Sequence, residues 1–204
     1  SYTFTPDNVS GDYLLGFNGG YSCNLGADNR WAFGTTAEGT WQQQHFLATT
    51  LGTHPLPAVL NYVNSFNTKM NARLTRRIQT LQAALKAGIN HLSAKAQGGT
   101  PLQGTDWTTG VVLTYNLPLG FQVSSDFTFF LRSGYENTQV RRFTNLWNSS
   151  LSKSFGKHCS VRLEAYDLLR QLHNTERLLT ATYWQETTQL TIPRYLMLHL
   201  AWQF

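Results

Sequence analysis

Along most of this chain the apolar residues fall on every second position, and nowhere do they form a run of the ~18 residues that a membrane-crossing helix needs. Period two is the geometry of a strand, whose successive side chains point to opposite faces. In "YLLGFNGGYSCNLG", Leu15, Phe17, Tyr21, Cys23 and Leu25 share one face, and Gly16, Asn18, Gly20, Ser22 and Asn24 the other. "RWAFGTTAEGTWQ" repeats the pattern, with Trp31, Phe33 and Trp41 opposing Gly34, Thr36, Glu38 and Thr40. "TDWTTGVVLTYNL" aligns Trp107, Val111, Leu113 and Tyr115, and "FQVSSDFTFFLR" aligns Phe121, Val123, Phe127, Phe129 and Leu131 against Ser124, Asp126 and Arg132. The chain ends in "PRYLMLHLAWQF", with Leu196, Leu198, Leu200, Trp202 and Phe204 on one side and Met197, His199, Ala201 and Gln203 on the other.

Composition says which surface the apolar side faces. Only 13% of the 204 residues are charged, about half the usual share for a soluble domain, while aromatics reach 13% with six Trp. A globule in water keeps a charged surface, so scarce charge with many aromatics implies that much of the outer surface does not face water. Without an apolar helix, the structure left for crossing a bilayer is a closed antiparallel β-barrel, which alone satisfies every strand's backbone groups. The fold class expected is therefore all-β: an antiparallel transmembrane barrel with about nine or ten strands in residues 1–204, ending in the strand 192–204. The barrel is either complete at that size or part of a larger one.

Residues 58–97 fit two patterns. Leu74, Ile78, Leu81, Leu85, Ile89 and Leu92 are spaced like the stripe of an amphipathic helix. Alternation fits as well, with Leu81, Ala83, Leu85, Ala87 and Ile89 opposing Gln82, Ala84, Lys86, Gly88 and Asn90. Gly88 and the Asn-rich approach to it favour strands over one long helix.

Short turns near Ala27, Arg77, Leu119 and Gly156 alternate with longer connections near His54, Gly99, Glu136 and from Arg170 to Thr191. In bacterial barrels the short turns are periplasmic and the long loops extracellular. Tyr21, Trp31, Phe33, Tyr115, Phe121 and Phe155 lie toward the short turns and form the expected aromatic girdle. Trp202 and Phe204 join it. On the opposite face Glu38, Lys86, Asp126, Arg132, Arg162, Glu164 and His199 are the candidate lumen-facing polar groups. Together with Lys69 and Arg73, the cations either make the lumen basic toward an anionic solute or plug, or pair with the acids across the interior. Cys23 and Cys159, both on the apolar face, pack against lipid or a neighbour more readily than they form a disulfide between distant strands. No spacing marks a catalytic, metal or cofactor site, so no enzyme activity and no cofactor are expected. The basic residues do not cluster with aromatics as nucleic-acid binding requires; they suit outer-membrane lipid and phosphorylated lipopolysaccharide.

"LWNSSLSKSFGKHCSVRLEAYDLLRQ" followed by "IPRYLMLHLAWQF" resembles the carboxyl end of TonB-dependent receptor-like outer-membrane barrels of the Bacteroidota type. The shared pattern is an Asn-led strand ending in Lys-Ser-Phe, a strand ending in Asp-Leu-Leu, and an Arg-Tyr strand closing on an aromatic, one residue and Phe. Arg170 stands where the family has Asn. The resemblance implies uptake of a large solute, and an assembly signal at Leu196, Leu198, Leu200, Trp202 and Phe204 read by the barrel-assembly machinery. It also implies an upstream plug domain and a surface lipoprotein partner. The alternative is a complete small structural or adhesive barrel acting through its extracellular loops, with an outer-membrane hydrolase a distant third.

If Phe204 carries an assembly signal, deleting it is expected to lower the amount of barrel assembled in the membrane while leaving the heat resistance of the assembled protein nearly normal. Leu198→Ala, which weakens the same strand without touching its end, is expected to lower heat resistance. Membrane-fraction yield and heat-shifted gel mobility distinguish the two effects, and an unchanged yield without Phe204 contradicts the signal.

Overall fold

The computed structural model describes residues 10–26, 28–48, 59–134, 142–156, 158–172, 174–179, 184–189 and 192–202. They are all-β, with one 3-10 turn at Pro118–Gly120 and no α-helix. The strands are β1 (Tyr13–Leu25), β2 (Trp31–Ala48), β3 (Val59–Ile78), β4 (Leu81–Ala96), β5 (Leu102–Asn116), β6 (Phe121–Ser133), β7 (Phe143–Phe155), β8 (Cys159–Tyr166), β9 (Asn174–Leu179), β10 (Trp184–Gln189) and β11 (Tyr195–Trp202). β1 to β8 and then β11 form a single nine-stranded antiparallel sheet in chain order, and β9 and β10 form a separate hairpin. Residues 59–96 are two strands joined at Gln79 and Thr80, not a helix, because their polar residues recur at period two around Gly88.

The register carries apolar rows across the sheet on one face and most of the charged side chains on the other. One row runs Phe33, Leu74, Leu85, Val111, Phe127, Trp147. A second, at the other end of the sheet, runs Leu151, Leu163, Leu198. The residues between them in each strand point the other way and are mostly polar or small, with Leu92, Val112, Phe130, Leu146 and Met197 among the bulky apolar exceptions. The large apolar side chains of the first face are exposed: Leu15, Trp41, Leu85, Trp107, Leu113, Phe127, Leu198 and Leu200 among them, the last at 71%. By contrast the least exposed strand side chains, Val63, Thr75, Ala84, Ala94, Thr128, Thr144 and Glu164, all lie on the polar face. Crowding on that side alone means that the sheet curls with its polar face concave.

No apolar core accompanies this sheet among the described residues. Among the described residues only Val63, Ala84 and Ala94 are buried hydrophobics. The accessible surface is 15000 Å² for a chain of 23.1 kDa, against about 9,700 Å² for a folded soluble monomer of that mass. Closure of the sheet is not seen. The outer edges of β1 and β11 have no partner strand among the described residues.

Three details depart from the sequence reading. The connection around Gly99 is a short turn over residues 97–101, in which Gly98 takes φ +73° and the Gly99 amide donates to Ala96 O at 3.0 Å. The stretch from Arg170 to Thr191, expected as a loop, contains the β9–β10 hairpin. β8 ends at Tyr166, because Asp167 turns the chain with φ 47°. The β1–β2 connection is a short turn, in which the Asn29 amide donates to Gly26 O at 3.2 Å, while Ala27 itself, the connections near His54 and Glu136, and Gln203 and Phe204 fall outside the described residues. At the start of β1, Asp12 accepts from the His45 amide at 2.7 Å and contacts its Nδ1 at 2.8 Å. The His45 ring, then its amide, hold the Asp12 carboxyl below its ordinary 3.8. That anchor is thus present above this value and is lost as pH falls through the lower folded-state value.

Glycine tests the strand pairing directly. A Cβ at Gly110 would stand 2.4 Å from Phe127 O, a backbone atom held by the β5–β6 ladder, whereas one at Gly19 would meet nothing within 4 Å. Gly110→Ala is expected to destabilise by about 1–3 kcal/mol through overpacking and Gly19→Ala to be neutral, measured by denaturant unfolding. Equal effects would contradict the β5–β6 register.

Candidate functional site

The polar face is where the ionisable side chains gather. Glu38 and Lys69 are direct register partners between β2 and β3, and Lys69 Nζ lies 3.3 Å from Glu38 Oε1. Further along the sheet Lys86 of β4 reaches across β5 to Asp126 of β6 at 2.6 Å, passing over Gly110, whose missing side chain leaves the path open. Thr128 Oγ1 donates to the same carboxylate oxygen at 3.0 Å. Asp106 and Arg132 face each other between β5 and β6.

At the β8–β11 end, Glu164 is 8% exposed and is held from three sides. Arg162 Nη2 approaches Oε1 at 2.5 Å, His199 Nε2 lies 3.0 Å from Oε2, and the Tyr166 hydroxyl donates to Oε2. Tyr166 itself stacks on Tyr195 with ring centroids 4.6 Å apart. A carboxylate this covered stays ionised only when charged or hydrogen-bonding donors surround it, and all three are present.

Glu38, Lys86, Asp126, Arg132, Arg162, Glu164 and His199 thus share one face, but in separate clusters along the sheet. Of the five cations considered for that face, Lys69, Lys86 and Arg162 pair with acids and Arg132 stands opposite one. Arg73 stands directly opposite Lys86, like charge against like charge, and among the described residues no carboxylate pairs with it. Beside it the wall is cut back to glycine. Gly20, Gly34 and Gly88, with Asn71, Arg73 and Lys86, line a depression of 560 Å³. Gly16, Asn18, Glu38, Thr40, Lys69 and Asn90 line a second of 680 Å³. The arrangement is a polar wall in which the guanidinium of Arg73 is left without a carboxylate partner, suited to contacting an anionic or polar group. Among the described residues no His, Cys, Asp and Glu side chains group to hold a metal.

Tyr21, Trp31, Phe33, Tyr115, Phe121 and Phe155 all lie on the apolar face, as do Leu196, Leu198, Leu200 and Trp202. Phe204 lies outside the described residues. Cys23 and Cys159 are free thiols on that face, with β2 to β7 between their strands. The sequence reading missed Asp167. At 1% exposure its carboxylate accepts the amides of Gln171 and Leu172 at 2.9 and 3.0 Å, while its own amide donates to Asn148 Oδ1 at 2.9 Å. An Asp followed by a non-alternating Leu-Leu is the signal that marked this turn, since Asp tolerates positive φ and bonds the backbone ahead of it.

Neither a family model, nor a curated protein, nor a solved structure matches this chain.

The two ion pairs differ in solvent cover, with side-chain exposures of 26% and 38% for Lys86 and Asp126 against 54% and 60% for Lys69 and Glu38. Asp126→Ala also leaves Lys86 unpaired beside Arg73. It is expected to cost about 1 kcal/mol and Glu38→Ala less than about 0.5 kcal/mol in urea unfolding, the reverse order contradicting the assignment.

Proposed function

We propose that this chain forms part of the wall of a bacterial outer-membrane β-barrel, the C-terminal strands of a TonB-dependent receptor-like protein for uptake of a large solute. The observation that carries the proposal is the sheet's division into an exposed apolar face and a concave, ion-paired polar face without a core between them. In water that apolar face would be an aggregation surface far larger than soluble proteins keep exposed. Against hydrocarbon it needs no cover, and the polar face becomes the inner wall.

Strand parity supports a barrel with further strands. Nine strands, each antiparallel to the next, leave β1 and β11 running in the same direction. Those two edges cannot join as antiparallel neighbours, so closure takes an odd number of additional strands. A barrel of about ten strands fills its interior with its own side chains. Here the inner wall of β1 to β4 is lined by Gly16, Gly20, Gly34 and Gly88 and has two open depressions, which favours a wider lumen. β2 and β3, with 18 and 20 residues, exceed the 9–11 or so that a tilted strand needs to cross, and would project beyond the bilayer on the long-loop side.

Substitutions on adjacent residues test which face meets lipid. Leu113→Arg and Phe127→Arg are expected to destabilise the membrane-assembled protein by about 2–4 kcal/mol each if their sites lie near the bilayer midplane. Thr114→Arg, one residue along β5 on the polar face, is expected to be tolerated. Equal damage at Leu113 and Thr114 would mean a dry core on both sides and would overturn the proposal.

A further inference from the structure

Charge on the apolar face is confined to its two ends. Within the nine-stranded sheet, the Lys and Arg side chains on that face are Arg76, Lys95 and Lys153, and no Asp or Glu shares it. Glu38, Asp106, Asp126 and Glu164 all stand on the polar face. Lys95 belongs to the long-loop end, whereas Arg76 and Lys153 belong to the short-turn end, two residues before the ends of β3 and β7.

Each of these two cations lies directly across from an aromatic residue. Arg76 is the register partner of Trp31, and its guanidinium carbon lies 5.0 Å over the Trp31 ring. Lys153 is the partner of Phe121, with its Nζ 4.2 Å from that ring centroid and 4.9 Å from that of Phe155. The aromatic faces hold the side chains against the sheet but cannot neutralise them. Among the described residues neither cation has a carboxylate within ion-pair distance. Ile78 and Phe155, exposed and two residues along the strand from each, make the surroundings apolar. A ligand that reaches either cation must therefore carry an anion and an apolar body at once. The two places are separated by four strand spacings, about 19 Å, so they are distinct sites.

We propose that Arg76 with Trp31, and Lys153 with Phe121 and Phe155, bind the phosphate headgroups of two phospholipids in the leaflet on the short-turn side. The inference rests on the membrane reading above and adds a specific ligand to it. Trp31 and Phe121 pre-place the cations at the level where the apolar face ends, and the acyl chains run along the rows beyond them. An anionic headgroup is preferred over a zwitterionic one, because a choline or ethanolamine cation already compensates its own phosphate.

The test is native mass spectrometry of the full protein, extracted from membranes in detergent and titrated with phosphatidylglycerol, phosphatidylcholine or inorganic phosphate. The wild type is expected to retain two phosphatidylglycerols in preference to phosphatidylcholine. Arg76→Gln and Lys153→Gln are each expected to weaken retention at one site by about fivefold, and the double variant to lose the preference. Arg76→Lys, which keeps the charge, is expected to retain it, as is Lys69→Gln, which removes a cation from the polar face. Unchanged retention in the double variant overturns the proposal, and so does displacement of the lipid by inorganic phosphate, which would make the sites ones for a free anion. Wild-type protein found in the aqueous fraction would instead defeat the membrane reading itself.

Discussion

In an antiparallel sheet a slip of one residue exchanges the two faces, so a sheet that separates apolar from polar side chains depends on every pairing keeping register. Here the register holds from β1 through β8 to β11, and most of the large apolar side chains fall on one face. Cys23 meets Phe33, Leu85 meets Val111, Phe127 meets Trp147, and Leu163 meets Leu198. Everything else follows from that ladder. The large apolar side chains are left exposed on one side, the acids are gathered on the other with most of the cations, and the Lys and Arg left on the apolar side stand at its ends. A single shifted pairing would bring Asp126 to the face of Phe127 and strand it without Lys86.

The edges impose the second constraint. Unpaired strand edges are costly in hydrocarbon, where each orphaned backbone group lacks water. The same-direction edges of β1 and β11 cannot satisfy each other antiparallel, and a copy related by rotation about the axis of a barrel built from the sheet would present its edge in the same wrong sense. Parity therefore excludes a closed antiparallel ring of nine-stranded sheets related by rotation about the barrel axis. It agrees with the polar face, where Gly16, Gly20, Gly34 and Gly88 leave space that this sheet's own side chains do not fill.

Much of the fold was legible because period two survives local irregularity. Between Leu81 and Ile89 the alternation competed with a helical stripe, and Gly88 pointed to the strand. The polar-face pairs were less legible. That Glu38, Asp126 and Glu164 share a face with Lys69, Lys86 and Arg162 follows from alternation, but which acid takes which cation depends on pairing register and on Gly110 leaving the way open between Lys86 and Asp126. The β9–β10 hairpin was not legible, since "NTERLL" and "WQETTQ" place charge and apolar side chains without a consistent face. Asp167 was missed because Leu168 and Leu169 extended an apparent strand past a turn that the Asp carboxylate makes with the backbone. The cation–aromatic pairs escaped notice because Trp31 and Arg76 are distant in sequence and meet only through the β2–β3 register.

The central claim is that one face of this sheet touches lipid and the other water, and a spin-label scan along β5 tests it most directly. Nitroxides placed one at a time over residues 106–116 of the membrane-assembled protein report collision with oxygen, which concentrates in hydrocarbon, and with a water-soluble nickel chelate. The expected result is two period-two profiles in opposite phase, with oxygen access highest at Trp107, Thr109, Val111, Leu113 and Tyr115 and nickel access highest at Asp106, Thr108, Gly110, Val112 and Thr114. Low access to both reagents at Val111 and Leu113 would mean that protein covers the apolar face, and would contradict the account.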